Sequence, residues 1–371
     1  MADLPRPRIL HILPDGSAGG GATAILGLCR DLLATGMWEV GLVTQPGSPL
    51  LEQAMHDDIP AMPLDFFQSR LDFSLPGKLT QLIRAFRPDI LHAHGARGAL
   101  PFCAMRNTGP LIYTVHGFHH AQLPPPLRLL GRLAERRIAA RADAIVFVSE
   151  GDRAQGGREH ILPESSPKSR VIANGIDTGD FAGITPLEER FDLVFAGRAH
   201  PQKNPLFMVD IMERLAGSGL RLRMICGGSL EGALRVRIDA SPARNAITLT
   251  GALPRQEVLR AFRSAKLYVL PSLWEGLPIT PIEALYCGLP VVASGISGTD
   301  EIILDGINGR LIDRFDAGLY AEAIRKILGN AALHARLAAN GRAWVEQRFL
   351  RTASSAKHEE LYRRMMGQTP A

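Results

Sequence analysis

The chain has 371 residues, of which 46% are hydrophobic, 21% charged and 6% aromatic, the balance of an ordinary globular protein. At roughly 100–200 residues per domain it holds two or three domains, which excludes a disordered chain, a collagen-like repeat and a disulfide-stapled miniprotein. The net charge of +5 is concentrated after Asp180, where 24 basic residues meet 19 acidic ones; a basic half favours nucleic acid, anionic lipid or a phosphate-bearing small ligand.

Cys29, Cys103, Cys226 and Cys287 lie far apart without a C-x-x-C pair. Neither a disulfide framework nor a zinc signature is present, and a reducing cytosol is the expected compartment. The start, MADLPRPRILHILPDG, carries too short an apolar run for a secretory signal, and nowhere do 18 apolar residues run together. The expectation is a soluble protein, or one that lies on a membrane.

Short apolar, β-branched runs alternate with helical patterns. RILHIL (8–13) precedes a helical stretch over 23–35, and VGLVT (40–44), DILHAH (89–94), LIYTVH (111–116), AIVFVS (144–149) and RVIAN (170–174) follow. The alternation then restarts with FDLVFAG (191–197), a helix near 205–216, RLRMICGG (221–228), AITLTG (246–251), KLYVLP (266–271), LPVVAS (289–294) and GRLID (309–313). Strands alternating with helices read as βαβ units and parallel sheets. Two such series predict two doubly wound sheets joined near 175–190, with a ligand cleft between them. The tail, 331–366, is helical in pattern. After the loop PPP (124–126), Arg128, Arg132, Arg136, Arg137 and Arg141 stand among leucines at helical spacing. They fit either a helix lying on anionic lipid or an ordinary half-buried helix with solvated arginines.

Three segments and a set of histidines carry chemistry. After FDLVFAG, Asn204 and Pro205 read as N-cap and first residue of a helix. Arg198 and Lys203 then stand at a strand's carboxyl end beside a helix N-terminus, where cations and free amides can converge on a phosphate. In PSLWEGLPITPIEALYCGLPVVAS (271–294), Thr280 with Glu283 reads as a capping box, whereas Glu275 sits in a loop with Trp274, Gly276 and Leu277, suited to accepting from sugar hydroxyls. In DGSAGGGATAILGLCRDL (15–32), Gly19, Gly21 and Ala24 meet a relaxed dinucleotide fingerprint. They begin several residues beyond the strand, and no acid follows VGLVT for a ribose, so a flexible glycine loop lining the cleft fits better than a dehydrogenase. His92 and His94 end one strand. His116, before Gly117, ends another, where ligands of α/β domains bind. No D-x-D pair, G-x-S-x-G elbow or Walker motif occurs, no carboxylates accompany the histidines at ligand spacing, and no metal is expected.

Together these segments resemble the retaining, nucleotide-sugar-dependent glycosyltransferases of the GT-B fold, in the family 4-like group common in bacterial capsule, exopolysaccharide and lipopolysaccharide synthesis. AGGG (18–21), DILHAH, YTVHG (113–117), ADAIVFVSE (142–150) and VIANGID (171–177) resemble the acceptor domain and linker. FAGRAHPQKNP (195–205) and the E-x7-E segment resemble the donor domain. The resemblance implies an α/β chain with two Rossmann-like domains facing a central cleft. Residues 1–180 would bind the acceptor, 181–345 the nucleotide sugar, and 346–371 would form a C-terminal helix packing back on the first domain. Arg198 and Lys203 would grip the donor diphosphate, Glu283 the ribose, and Glu275 and His116 the transferred sugar. Gly19, Gly20 and Gly21 would close over the donor phosphates or the acceptor, and the backbone near Leu253 would hold the base. Many relatives have glycine where this chain has Pro278, which lacks an N–H. The amides of Ile279 and Thr280, next to Leu277, would therefore hold the phosphate.

The resemblance further implies a UDP- or GDP-linked sugar as co-substrate, no other cofactor and no metal. It implies a lipid-linked or glycan acceptor, and peripheral contact with an anionic membrane from the cytoplasmic side. A nucleotide-sugar 2-epimerase of the same architecture is the alternative; it would act on the nucleotide sugar alone, and the E-x7-E segment speaks for transfer. A nucleic-acid-binding module fits poorly, since the arginines are dispersed and the aromatics sparse.

Overall fold

A computed structural model of the chain describes residues 6–368 except 18, 70, 71 and 107; Ala18, of the AGGG segment, lies outside the described residues. The chain divides into two units, one of residues up to 174 together with those from 351 onward, the other of 175–350. Residues 175–180, expected with the first domain, group with the second, where Asp180 Oδ2 meets Arg255 Nη2 at 3.0 Å. The helical tail is broken at Phe349 and Leu350 into helices Ala331–Arg348 and Arg351–Met365, and at the break the chain returns to the first unit. Beside it, Ile176 N–H donates to Phe349 O (2.8 Å).

The first unit is a seven-stranded sheet of β1 (Arg8–Leu13), β2 (Glu39–Thr44), β3 (Ala61–Pro63), β4 (Ile90–His94), β5 (Leu111–Val115), β6 (Ala144–Phe147) and β7 (Ser169–Val171). Their order is β3-β2-β1-β4-β5-β6-β7, every pair parallel. The sequence pattern missed β3, whose three residues AMP follow Pro60 and end in Pro63; prolines are confined to sheet edges because they cannot donate to a ladder, and β3 is an edge strand. The second unit is a six-stranded parallel sheet of β8 (Leu193–Ala196), β9 (Leu222–Ile225), β10 (Ile247–Leu249), β11 (Leu267–Leu270), β12 (Val291–Ser294) and β13 (Gly309–Ile312), in the order β10-β9-β8-β11-β12-β13.

Both sheets are covered on both faces by helices, so their strands are nearly continuous apolar runs. The period of two still sorts them. In β1, Leu10 and Ile12 enter one core while Ile9 and Leu13 enter the other. The second core is closed by Leu361 and Tyr362 of the C-terminal helix. That helix is tied further by Trp38 Nε1 to Glu359 (3.2 Å), Ser355 Oγ to Asp31 (2.5 Å) and Arg351 to Asp31 (2.9 Å). Gly41 of β2 is required by packing: a Cβ there would come within 2.6 Å of the Phe86 ring. In each sheet the strand order reverses beside the first strand, between β1 and β4 and between β8 and β11. Open α/β sheets bind ligands outside the carboxyl ends of strands at such points.

Candidate active site

In the second unit the reversal point gathers the charged residues singled out in the sequence. Arg198 follows the end of β8 by two residues, and a short turn, Pro201–Lys203, leads into the helix Pro205–Arg214. The loop after the neighbouring β11 carries Glu275 and leads into the helix Ile279–Tyr286. Lys203 Nζ donates to Glu275 Oε1 at 2.5 Å, with both side chains largely withdrawn from solvent. Gln202 buttresses the same carboxylate: its Nε2 reaches Glu275 Oε2 (3.2 Å) and Trp274 O (3.1 Å), and its carbonyl accepts from Leu273 N–H (2.8 Å). The Tyr268 hydroxyl donates to Ala196 O (3.0 Å) and accepts from Thr280 Oγ1 (2.9 Å), joining the end of β8 to the start of the helix Ile279–Tyr286.

Gly298 holds this loop close. Its φ of +86° is left-handed, and a Cβ there would lie 1.8 Å from Gly276 O, so no other residue fits without moving the Glu275 loop. Ser272 Oγ and Trp274 Nε1 are buried without a partner. Unpaired buried donors are uncommon in folded proteins, and these two both stand in the loop that carries Glu275. The first-turn amides of Ile279 and Thr280 have no intrahelical acceptor, and with the helix dipole they favour an anion. Leu277 and Ile279 are buried, and Leu253 is half-buried just before the helix Arg255–Arg263.

Three local expectations change. Thr280 and Glu283 form no capping box: the helix begins two residues earlier, with Pro278 as its N-cap and no side-chain cap. The buried Glu283 instead pairs with Arg255 Nη1, whose Nη2 reaches Asp180. Burial pushes the Glu283 carboxyl up, and the guanidinium beside it opposes that shift. Asn204 precedes Pro205 as expected, but it is left-handed (φ 51°) and makes no side-chain cap. Gly20 and Gly21 are not loop: they form the first turn of the helix Gly20–Ala34, and only Gly19 stands before it, extended. A Cβ at Gly19 or Gly21 would meet nothing within 4 Å, so this turn has open space beside it. Gln202, Tyr268, Arg255 and Asp180 were not singled out from the sequence, and no motif marks Arg255, 28 residues from its carboxylate.

In the first unit, period two places His11, His92, His94 and Thr114 on one face. His11 is opposite His92 across β1 and β4, and His94 is opposite Thr114 across β4 and β5. His11 Nδ1 lies 3.1 Å from His94 Nε2, and His94 Nδ1 lies 3.2 Å from His116 Nε2. His92 is bracketed by Tyr362 OH (2.7 Å at Nδ1) and Thr114 Oγ1 (2.6 Å at Nε2). The spacing argument expected no metal cluster, yet His11, His92 and His94 bring ring nitrogens within 4.8 Å of one another. They come from two strands, which no local spacing reveals. Burial lowers all these rings, His11 to about 3 and His116 to about 4, so they are neutral at physiological pH.

Two doubly wound parallel sheets, one with cations, carboxylates and helix amides at its reversal point, define a two-Rossmann-domain sugar transferase of the GT-B type. The family model described as Glycosyl transferases group 1 matches residues 180–344, and that of Glycosyltransferase Family 4 matches 18–180. The chain belongs to these glycosyltransferases. A D-inositol 3-phosphate glycosyltransferase of Xylanimonas cellulosilytica is 26% identical, over 96% of this chain and 94% of that protein. Its counterpart from Mycobacterium sp. (strain KMS) is 28% identical over 68% of this chain, which covers 61% of that protein. A UDP-Gal:alpha-D-GlcNAc-diphosphoundecaprenol alpha-1,3-galactosyltransferase of Escherichia coli is 25% identical, over 82% and 84% of the two chains. The solved structure of Anabaena Alr3699/HepE in complex with UDP and glucose has the same fold, with a TM-score of 0.82 at 17% identity, covering 96% of this chain and 99% of that one. A transferase fits these relatives better than an epimerase.

Proposed function

We propose that the chain transfers a hexosyl group, with retention of anomeric configuration and without a metal, from a UDP- or GDP-linked sugar to a lipid-linked or glycan acceptor. The observation that carries this reading is the Lys203–Glu275 pair beside the unpaired amides of Ile279 and Thr280 at the reversal point of the second sheet. An arriving diphosphate competes with Glu275 for Lys203. Charge-assisted contacts from Lys203 and Arg198, with the amides, then hold it and stabilise the charge of its departure. Glu275, released from the ammonium, accepts from hydroxyls of the sugar, and Glu283 accepts from the ribose through the oxygen that Arg255 leaves open. Leu253 borders the base, His116 hydrogen-bonds the sugar, and the Gly19–Gly21 turn offers amides to the donor. The UDP and lipid-diphosphate names of the relatives support the donor and acceptor classes.

The test is thermal unfolding with UDP, GDP and their hexose conjugates. A diphosphate at 100 times its Kd should stabilise the fold by about 2.7 kcal/mol, and Lys203→Ala should abolish the shift. If neither nucleotide raises Tm, or if Lys203→Ala responds like the parent, the reading fails.

A membrane site for the acceptor is supported by the helix Pro125–Arg141, which buries only Glu135, Ile138 and Ala139. Leu123 before it and Leu127, Leu129, Leu130 and Leu133 on it are exposed, Leu130 by 61%, beside the exposed Arg128 and Arg137. Exposed leucines interleaved with arginines suit an anionic lipid surface. Among the described residues no helix is long and apolar enough to cross a membrane, so the contact would be peripheral. Co-sedimentation with phosphatidylglycerol vesicles, lost in Leu129→Glu/Leu130→Glu and absent with phosphatidylcholine, tests it.

A further inference from the structure

The geometry points to His94 and His11 as positioning residues that lock His116 in a single tautomer, with its proton on Nδ1, so that His116 meets its ligand as a hydrogen-bond donor. The role of His116 toward the sugar rests on the function proposed above; the tautomer does not.

The argument is one of proton counting along a row. A neutral imidazole has one N–H and one bare nitrogen, and the hydrogen bond at one nitrogen sets the state of the other. His11 Nδ1, His94 Nε2, His94 Nδ1 and His116 Nε2 form two successive nitrogen–nitrogen contacts of 3.1 and 3.2 Å. Each contact holds one proton, so the row has two self-consistent arrangements. In the first, His11 Nδ1–H donates to His94, His94 Nδ1–H donates to His116 Nε2, and His116 carries its proton on Nδ1. In the second, every proton sits on the other nitrogen, His116 Nε2–H donates inward, and His116 Nδ1 is bare.

The inner end of the row decides between them. His11 is fully buried, and its Nε2 has no partner. The second arrangement would put a proton there, a buried N–H pointing at no acceptor. The first leaves only a bare lone pair, and unmet buried donors are much the rarer of the two in folded proteins. No relief comes from the neighbours. His358 commits its Nδ1 to Ser354 O (3.0 Å), and both nitrogens of His92 are held by Tyr362 and Thr114. Those engagements also account for His92 and His94 without a bound ion. No carboxylate or cation has a hydrogen bond to any ring in the row among the described residues, so nothing there favours a charged ring. Burial leaves all three neutral.

The experiment is long-range 1H–15N correlation on the full chain with labelled histidine at pH 7.5, the His116 signals being identified by their loss in His116→Gln. The expected result is a protonated Nδ1 and a bare Nε2. His94→Leu, which removes the donor, should shift His116 toward the Nε2–H form and lower kcat for transfer on the order of 100-fold with donor KM little changed. His94→Asn, whose amide places an N–H near the former Nδ1, should restore both. A wild-type His116 protonated on Nε2 overturns the inference, as does a stoichiometric metal ion in the purified protein or equal kcat losses in the Leu and Asn variants. Should His94→Leu fail to fold, the wild-type spectrum alone decides. Failure of every nucleotide sugar as donor would sink the proposed function and leave the tautomer measurement standing.

Discussion

Lys203 and Glu275 neutralise one another in the ligand-free chain, and both are largely withdrawn from water. Removing one partner of such a pair strands the other, typically at about 3–5 kcal/mol. Lys203→Met should therefore lower stability as well as donor affinity. The double variant Lys203→Met/Glu275→Gln should recover most of the stability and none of the affinity, as read by denaturant unfolding and by UDP titration calorimetry. Glu283 is a second case. Its burial raises the carboxyl pKa and Arg255 opposes that rise, so Arg255→Met should raise it further. In the binding mode proposed above the ionised carboxylate accepts from the ribose, so UDP affinity in Arg255→Met should keep rising with pH beyond the point at which the parent levels off. A third residue lies in the other unit. Glu135 is buried, takes a hydrogen bond from Tyr113 OH (2.9 Å), and is pushed up to about 7. Because the folded state holds this proton more tightly than the unfolded one, its contribution is lost as pH rises from about 4.5 through 7, at most about 3 kcal/mol. Glu135→Gln should therefore gain stability over the parent at pH 8 and not at pH 5.

Among elements, the β1–β4–β5 end of the first sheet and the helix Arg351–Met365 form one device, with His11, His92, His94, His116, His358 and Tyr362 packed together. Here the sign is opposite to that of Glu135. Each ring titrates below its unfolded value, His358 and His116 at about 4 and His11 at about 3. Stability should fall as pH drops below about 6.5, each ring contributing about 1.4 kcal/mol per unit of its shift. Chemical denaturation at pH 7 and 5, with His358→Leu flattening the difference, measures this. The strands themselves were legible in the sequence because burial on both faces makes continuous apolar runs, and the H-x-H of β4 already put two histidines on one face. Their partners were not legible. His11 reaches His94 through sheet register, and Tyr362 reaches His92 across 270 positions, distances at which no local pattern operates. The same reason separates Lys203 and Glu283, marked by motifs, from Gln202 and Arg255, marked by nothing until the chain is folded. The capping box failed because Pro278 already supplies the fixed backbone entry, which frees Glu283 for Arg255.

At the scale of the molecule, each unit has its own core, and the first is discontinuous in sequence. Ending the chain at Leu350 would uncover Ile9, Ile90 and Trp38, which pack in the same core as Leu361 and Tyr362. Calorimetry of that truncation should show the first unit melting earlier while the second keeps its transition and its response to UDP; a uniform shift of both would contradict the division.

The discontinuity also sets an order of events during synthesis. The ribosome makes the β1–β7 sheet first, but the helix that seals its face, Arg351–Met365, emerges only after the whole second unit. The later-made unit, contiguous from 175 to 350, can therefore be finished while the earlier one still waits. Throughout that interval an apolar face is open to solvent, and a holdase chaperone would find its target there, on nascent chains stalled anywhere before Arg351.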